Sequence, residues 1–283
     1  MLRSPVQVTP DNVGDHYDRL DEFYRSIWGR TLHHGLWSPG DSPSVELGTN
    51  RLLNLLVASL PLTPGIRLVD IGCGYGADAH RIAELTGASV SGITISRAQA
   101  TKARETPPPS QGEVSIEQGD WFQNTYPAKN FDCAIAMESL SHMQDKKGFF
   151  LEIHRVLVPG GKAAIACWTI DPEPSGAERI LLRILCLSGS LPSLGSMSDY
   201  RTFAHAADLS PLESRDLTAL VAPTWSLIAR NTLRILMQPR FLASALRLGL
   251  RYPLLSLAIP AMTLAFRTGV LRYSAFWVES KRL

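Results

Sequence analysis

Only four cysteines occur in the 283 residues, at positions 73, 133, 167 and 186, and they fall inside apolar runs without the paired spacing of a metal site. Neither a disulfide framework nor a zinc site is expected, which fits a reducing, cytoplasmic setting. Charge is also scarce: 19% of residues are charged, and 28 Lys+Arg against 26 Asp+Glu leave a net +2. Low charge beside 45% hydrophobic residues argues against a disordered chain. There is no internal repeat and no low-complexity tract. The longest uncharged apolar run, residues 252–266, contains Pro253 and Pro260 and lies between Arg251 and Arg267. It falls short of the roughly twenty apolar residues a membrane-spanning helix needs. The first residues mix polar and acidic side chains where a secretory signal would be apolar. What is plentiful is core-forming material, enough for one large domain or a domain with a cap.

Charge is unevenly spread. Residues 228–283 hold nine basic side chains and one acid, Glu279, a net +8, so the remainder carries −6. Two readings fit this tail: packed helices with arginines on the wet face, or contact with a membrane surface or an anionic substrate. The basic residues are dispersed through apolar sequence, unlike the dense patch that neutralises nucleic-acid phosphates.

The order of elements points to a fold. Leu20, Phe23, Tyr24, Ile27 and Trp28 predict one helix within His16–Trp37, and Leu52, Leu53, Leu55, Leu56 and Leu60 a second over Asn50–Leu60. Then strand and helix alternate: strand Ile66–Ile71, helix Asp78–Leu85, strand Ser89–Ile95, helix Arg97–Glu105, strands Val114–Gln118 and Phe131–Met137, helix Lys146–Leu157, a turn at Pro159-Gly160-Gly161 and strand Lys162–Trp168. Such alternation predicts an α/β, doubly wound, Rossmann-like parallel sheet. A helical lid is expected over residues 1–60 and the sheet domain over 61–283, with an inserted cap at about 172–210. Leu181, Leu182, Ile184, Leu185, Leu187, Leu191 and Leu194 of that cap, with Trp225, Phe241 and Tyr252, would wall an apolar pocket.

Val69-Asp70-Ile71-Gly72-Cys73-Gly74-Tyr75-Gly76 places an acid at a strand end before three alternating glycines. Such a loop lets a ligand approach the backbone at a helix N-terminus. A dinucleotide site would have its third glycine one residue later and an acid ending the next strand, where this chain reads Gly92-Ile93-Thr94-Ile95-Ser96. The pattern instead resembles class I S-adenosylmethionine-dependent methyltransferases. It continues through Gly92–Gln99, Gly119-Asp120-Trp121, Met137–Met143 and Leu157–Gly161, and covers His16-Tyr17-Asp18 and Trp28–Gly35. Together these segments look like the tocopherol, sterol and cyclopropane-synthase branch, and like bacterial natural-product (sugar or polyketide) O-methyltransferases.

That resemblance implies S-adenosyl-L-methionine as cofactor and no metal. Asp70, Gly72, Cys73 and Gly74 would line the methionine portion, Thr94, Ile95 and Gln99 the ribose, and Asp120 with Trp121 the adenine. Met137 and Glu138 would complete the cofactor side, and Tyr17, His33 and His34 would close the site from the N-terminal helix. The sugar O-methyltransferases resembled carry a His pair and a following acid; here those positions are Ser141, His142 and Cys167, which leaves His142 as catalytic base. His154 reads as a solvated-face residue. The implied function is methylation, at oxygen, of a hydrophobic natural product such as a polyketide, macrolide, terpenoid or glycoside. The alternative is a polyketide cyclase on the same fold. A hydrophobic small molecule is the expected partner, with neither nucleic acid nor stable membrane insertion.

Overall fold

The computed structural model describes residues 1–41, 44–238 and 253–281. Phe241 and Tyr252 lie outside the described residues. Seven strands form one sheet: β2 (Arg67–Ile71), β3 (Ser89–Thr94), β4 (Glu113–Gln118), β5 (Phe131–Met137), β6 (Leu157–Ile170), β8 (Leu209–Asp216) and β9 (Leu271–Ser280), in the order β4-β3-β2-β5-β6-β9-β8. The first five are parallel, and β9 runs antiparallel to both β6 and β8. Helices α4 (Ala77–Thr86), α5 (Arg97–Arg104) and α6 (Lys146–Val156) make the crossovers. Buried parallel strands such as Val69–Ile71 and Ala134–Ala136 fill the middle layer, as two-sided burial requires. The doubly wound sheet is the expected one.

Several local expectations need correction. Proline at the first turn and a capping box between Thr9 and Asn12 start α1 early, at Pro10–Arg19. The expected single helix is therefore two: the chain breaks at Leu20, continues as α2 (Asp21–Trp28), and stops at Gly29, whose φ of 83° ends the helix. His33 and His34 thus sit on a loop. Ser44 caps α3 (Val45–Val57) five residues before the expected start. The Pro159-Gly160-Gly161 segment is a bulge inside β6. Pairing runs from Phe131 with Leu157 to Cys133 with Lys162, and Gly160 supplies φ 81°.

The inserted segment comprises α7 (Gly176–Ser188), β7 (Ser193–Leu194), which pairs with β1 (Leu2–Arg3), and α8 (Met197–Ala206). Leu182, Leu185, Leu191 and Leu194 are buried in the main core. None of the seven expected cap residues lines the functional cavity, because α7 turns its apolar side to a C-terminal helix, α11 (Pro253–Thr268). The cavity wall comes instead from α11 and from α10 (Pro223–Leu236), which follows the short α9 (Thr218–Val221). His154 is half-buried and bonds Ser280 Oγ through Nδ1 at 3.1 Å, so it is not a solvated-face residue. Among the described residues no helix is long and apolar enough to cross a membrane.

Candidate active site

Strand order reverses between β2 and β5, which opens a crevice at the carboxyl ends of the sheet. Loops leaving β2, β3, β4 and β5 meet there around one cavity, closed over by α1, α2, α10 and α11. Every site residue named from the sequence lines this cavity.

The β2 loop shows why its glycines differ. Gly72 has φ 81°, and a Cβ there would lie 2.4 Å from the Ser139 Cβ, so only glycine lets the β2 and β5 loops touch. The Gly72 and Cys73 N–H groups donate to the Ile93 carbonyl at 2.8 and 3.0 Å. Gly74 has φ 55°, yet a Cβ on it would meet nothing within 4 Å. Side chains at Gly74 are therefore disfavoured by backbone conformation and not by packing. Beneath it Asp70 is 3% exposed, and its Oδ2 has no hydrogen-bond partner. Burial, reinforced by Asp78 and opposed by His33, pushes its pKa up to about 8.

On the β3 loop, Thr94 Oγ1 donates to Gln99 Oε1 at 2.8 Å, both side chains being buried. Ser96 caps α5 and also bonds Asp18, which accepts the Ala98 N–H at 3.0 Å. This ties α1 to the sheet. After β4, Asp120 caps the 3-10 turn Trp121–Gln123 by accepting the Phe122 N–H at 3.0 Å, and Trp121 is buried beside it.

At the end of β5, Glu138 holds a φ of 61°, a conformation most residues avoid. Its Oε1 accepts from the His34 backbone N–H at 2.6 Å, His34 Nδ1 at 2.8 Å and the Tyr273 hydroxyl at 2.8 Å. Burial alone would raise its pKa, but the charge and hydrogen bonds of His34 outweigh that and bring it below the usual carboxylate value. An ionised Glu138 accepts from His34 Nδ1, and the other ring nitrogen, Nε2, has no partner. Trp28, Trp168, Trp225, Phe266 and Tyr273 surround the His34 ring at centroid distances of 5.1–6.2 Å. His33 pairs with Asp78 at 3.0 Å; burial opposes its protonation, yet Asp78 raises its pKa overall.

The turn Ser139–His142 carries the remaining polar group. His142 Nε2 lies 2.8 Å from the Tyr17 hydroxyl, while Nδ1 faces the Ser190 backbone without hydrogen-bond geometry. Burial first, then the positive fields of His16 and Lys146, lower the His142 pKa to about 3. The imidazole is thus neutral at physiological pH, and its Nε2 accepts a hydrogen bond from the Tyr17 hydroxyl. Lys146 is 2% exposed and spends its ammonium on the carbonyls of Leu140, Ser141 and Met143 at 2.7–2.9 Å. Burial lowers its pKa to about 7.

Sequence reasoning assigned no role to Asp18, Lys146, Trp168 or Tyr273. Lys146 did leave a signal, since it stands three and four residues before Phe149 and Phe150 on one buried helical face. Tyr273 lies 135 residues from Glu138, and nothing local announces that pairing.

The family described as Methyltransferase domain matches residues 69–165. A 27-O-demethylrifamycin SV methyltransferase of Amycolatopsis mediterranei is 34% identical over 225 residues, covering 79% of this chain and 82% of that protein. A cyclopropane synthase of Mycobacterium tuberculosis has the same fold, with TM-score 0.83 and 20% identity over 98% of this chain and 100% of the other. The cyclase SpnF also shares it, with TM-score 0.79 and 23% identity over 100% and 99% of the two chains. With its glycine loop on β2 and that relationship over most of its length, the chain belongs to the class I S-adenosylmethionine-dependent methyltransferases, and S-adenosylmethionine is its cofactor.

Proposed function

We propose that the protein methylates a hydroxyl group of an apolar, oxygenated natural product. The observation that carries this reading is the neutral His142–Tyr17 pair set in a cavity whose other wall is apolar. Phe23, Ile27 and Trp28 of α2, Ile228 of α10 and Ile259 of α11 supply that wall. Within it, Trp168 and Trp225 carry indole N–H groups without a partner, and His34 Nε2 is a buried ring nitrogen without one. Buried polar atoms of this kind cost stability unless a bound molecule pairs with them. They suit a ligand bearing oxygen functions. The name of the Amycolatopsis relative likewise places the methyl that is added on an oxygen, that of 27-O-demethylrifamycin SV.

The residues fit the cofactor on observations independent of the family. The space above Gly74 is a cradle that a Cβ would fill, and the unpaired Asp70 carboxyl beneath it suits an ammonium group. We assign Asp70, Gly72, Cys73 and Gly74 to the amino-acid portion and Thr94, Ile95 and Gln99 to the ribose. Asp120 and Trp121 take the adenine, and Met137 and Glu138 border the sulfonium side. Tyr17, His33 and His34 close the site. When bound, the cofactor supplies an activated methyl group.

For an alcohol, the protein's share is orientation and proton removal. The acceptor hydroxyl lies against the Tyr17–His142 pair, and as its oxygen gains the new bond its proton passes to the Tyr17 oxygen while the Tyr17 proton passes to His142 Nε2. The depressed pKa makes the imidazolium a transient carrier that returns to the neutral form between turnovers. The test is incubation with S-adenosylmethionine and a panel of hydroxylated apolar acceptors, followed by mass spectrometry. A product heavier by one methyl in place of one hydrogen supports the reading. An acceptor rearranged without mass gain would assign ring closure instead.

A further inference from the structure

Among the described residues, the acid-poor tail includes two long helices, each with two different faces. No Asp or Glu occurs from Leu217 to Val278, a stretch that holds seven arginines. On α10, the inner face turns Trp225, Ile228 and Thr232 to the cavity. Its outer stripe is Arg230, Leu233, Arg234 and Met237, spaced by three and four, with Leu233 61% and Met237 77% exposed. On α11, Ala258 and Ile259 line the same cavity, and the outer stripe is Leu257, Pro260, Leu264 and Arg267, with Leu257 49% and Leu264 51% exposed. Arg230, Arg234 and Arg267 form no ion pair among the described residues. Single exposed leucines are ordinary. Two neighbouring helices that each pair an exposed aliphatic stripe with unpaired arginines, with no acid in the sequence around them, are not.

We infer that the outer faces of α10 and α11 dock the protein onto an anionic lipid surface, with the aliphatic side chains entering the headgroup–acyl boundary and the arginines meeting lipid phosphates. An amphipathic helix with these two features binds in the interface plane. The interleaving of leucine with arginine is what selects a bilayer over an acidic protein, whose carboxylates would pair with the arginines but leave Leu233 and Met237 in water. The placement also makes chemical sense: the helices that would rest on the lipid are the ones whose other faces wall the apolar cavity, so an acceptor dissolved in the bilayer would have a short path to it. The inference does not depend on which atom is methylated.

The experiment is co-sedimentation of the full-length protein with vesicles of phosphatidylcholine alone and of phosphatidylcholine with phosphatidylglycerol, at low and high salt. The expected result is binding to the anionic vesicles that weakens as salt rises. Arg230→Gln with Arg234→Gln should cut the partition coefficient on the order of tenfold, consistent with the surface contribution of each arginine. Leu233→Glu with Met237→Glu should abolish binding while leaving S-adenosylmethionine affinity unchanged, which shows that the fold is intact. Equal binding to both vesicle types, no binding, or binding indifferent to these substitutions would overturn the inference. So would a stripe substitution that converts a dimer into a monomer in the absence of vesicle binding.

Discussion

At the scale of single residues, the two central glycines of the β2 loop separate folding from binding. Gly72→Ala pushes a methyl group into Ser139, so stability should fall by about 1–3 kcal/mol in a urea titration, the range for overpacking together with a strained φ. Gly74→Val meets no neighbouring atom, so apart from about 1–3 kcal/mol of strain from its positive φ the protein should stay folded, while calorimetry shows loss of S-adenosylmethionine binding. Asp120 is the corresponding probe at the adenine end. One of its oxygens caps the turn that follows, and Asp120→Ala should cost about 1–3 kcal/mol of cofactor affinity if the other accepts from the adenine amino group. Asp70 adds a proton signature. Its pKa of about 8 in the free protein means the carboxyl is largely protonated at pH 7, and a cation placed beside it lowers that value. Cofactor binding at pH 7 should therefore release protons, seen as a dependence of the calorimetric heat on the buffer's ionisation enthalpy; no dependence would remove Asp70 from the ammonium's surroundings.

At the scale of elements, the turn Ser139–His142 is held from one side by the Gly72–Ser139 contact and from the other by Lys146. A buried cation in the first turn of α6 opposes the helix dipole and is costly to desolvate. Its compensation is hydrogen bonds to three backbone carbonyls, of which only that of Leu140 also accepts a backbone N–H, from Met143. Lys146→Met should lower stability by roughly 2–4 kcal/mol in chemical denaturation, and should reduce turnover more than cofactor affinity because the turn it releases carries His142. The N-terminal helices illustrate what a sequence does and does not disclose at this scale. Spacing of Leu20, Phe23, Tyr24, Ile27 and Trp28 revealed an amphipathic stretch, yet the break at Leu20 has no breaker residue to announce it. The stretch of β strands and crossover helices from Arg67 to Val156 was legible almost to the residue, because buried parallel strands read as short apolar runs and glycine or capping side chains bound them. The insertion was legible as helix but not as to partner. Its leucines pack on α11, and no local pattern distinguishes a helix that covers a cavity from one that covers another helix.

At the scale of the whole molecule, the site is assembled from chain segments far apart in sequence: Tyr17 reaches His142, and Tyr273 reaches Glu138. Residues inside ordered motifs could be gathered from the sequence, whereas Tyr273 and Trp168 owe their place to the register of β9 against β6, which the sequence does not state. The same assembly fixes an acid sensitivity. His16 and His142 have folded pKa values of about 4 and about 3, below the ordinary 6.5, both from burial. The unfolded chain then binds more protons than the folded one between those values and 6.5, so their contribution to stability is present above about pH 6.5 and lost as pH falls through 4 to 3. Asp70 acts in the opposite sense: with a raised pKa its contribution is full below the unfolded value near 3.8 and is lost as pH rises through 8. The urea midpoint should thus fall on acidification from pH 6.5, and less steeply in a His16→Gln variant. A midpoint that stays level to pH 4 would show that these rings are charged or solvated in the folded protein.

The central claim is that a neutral imidazole, held on a rigid turn and bonded to Tyr17, takes up through that tyrosine the proton of an acceptor hydroxyl. Its most direct test is turnover and cofactor affinity measured side by side for His142→Ala across pH 5.5–8.5. The account predicts a loss of turnover of on the order of a hundredfold, an unchanged dissociation constant for S-adenosylmethionine, and a wild-type rate profile with no limb near pH 6.5 that disappears on substitution. Full turnover in the folded variant would contradict it.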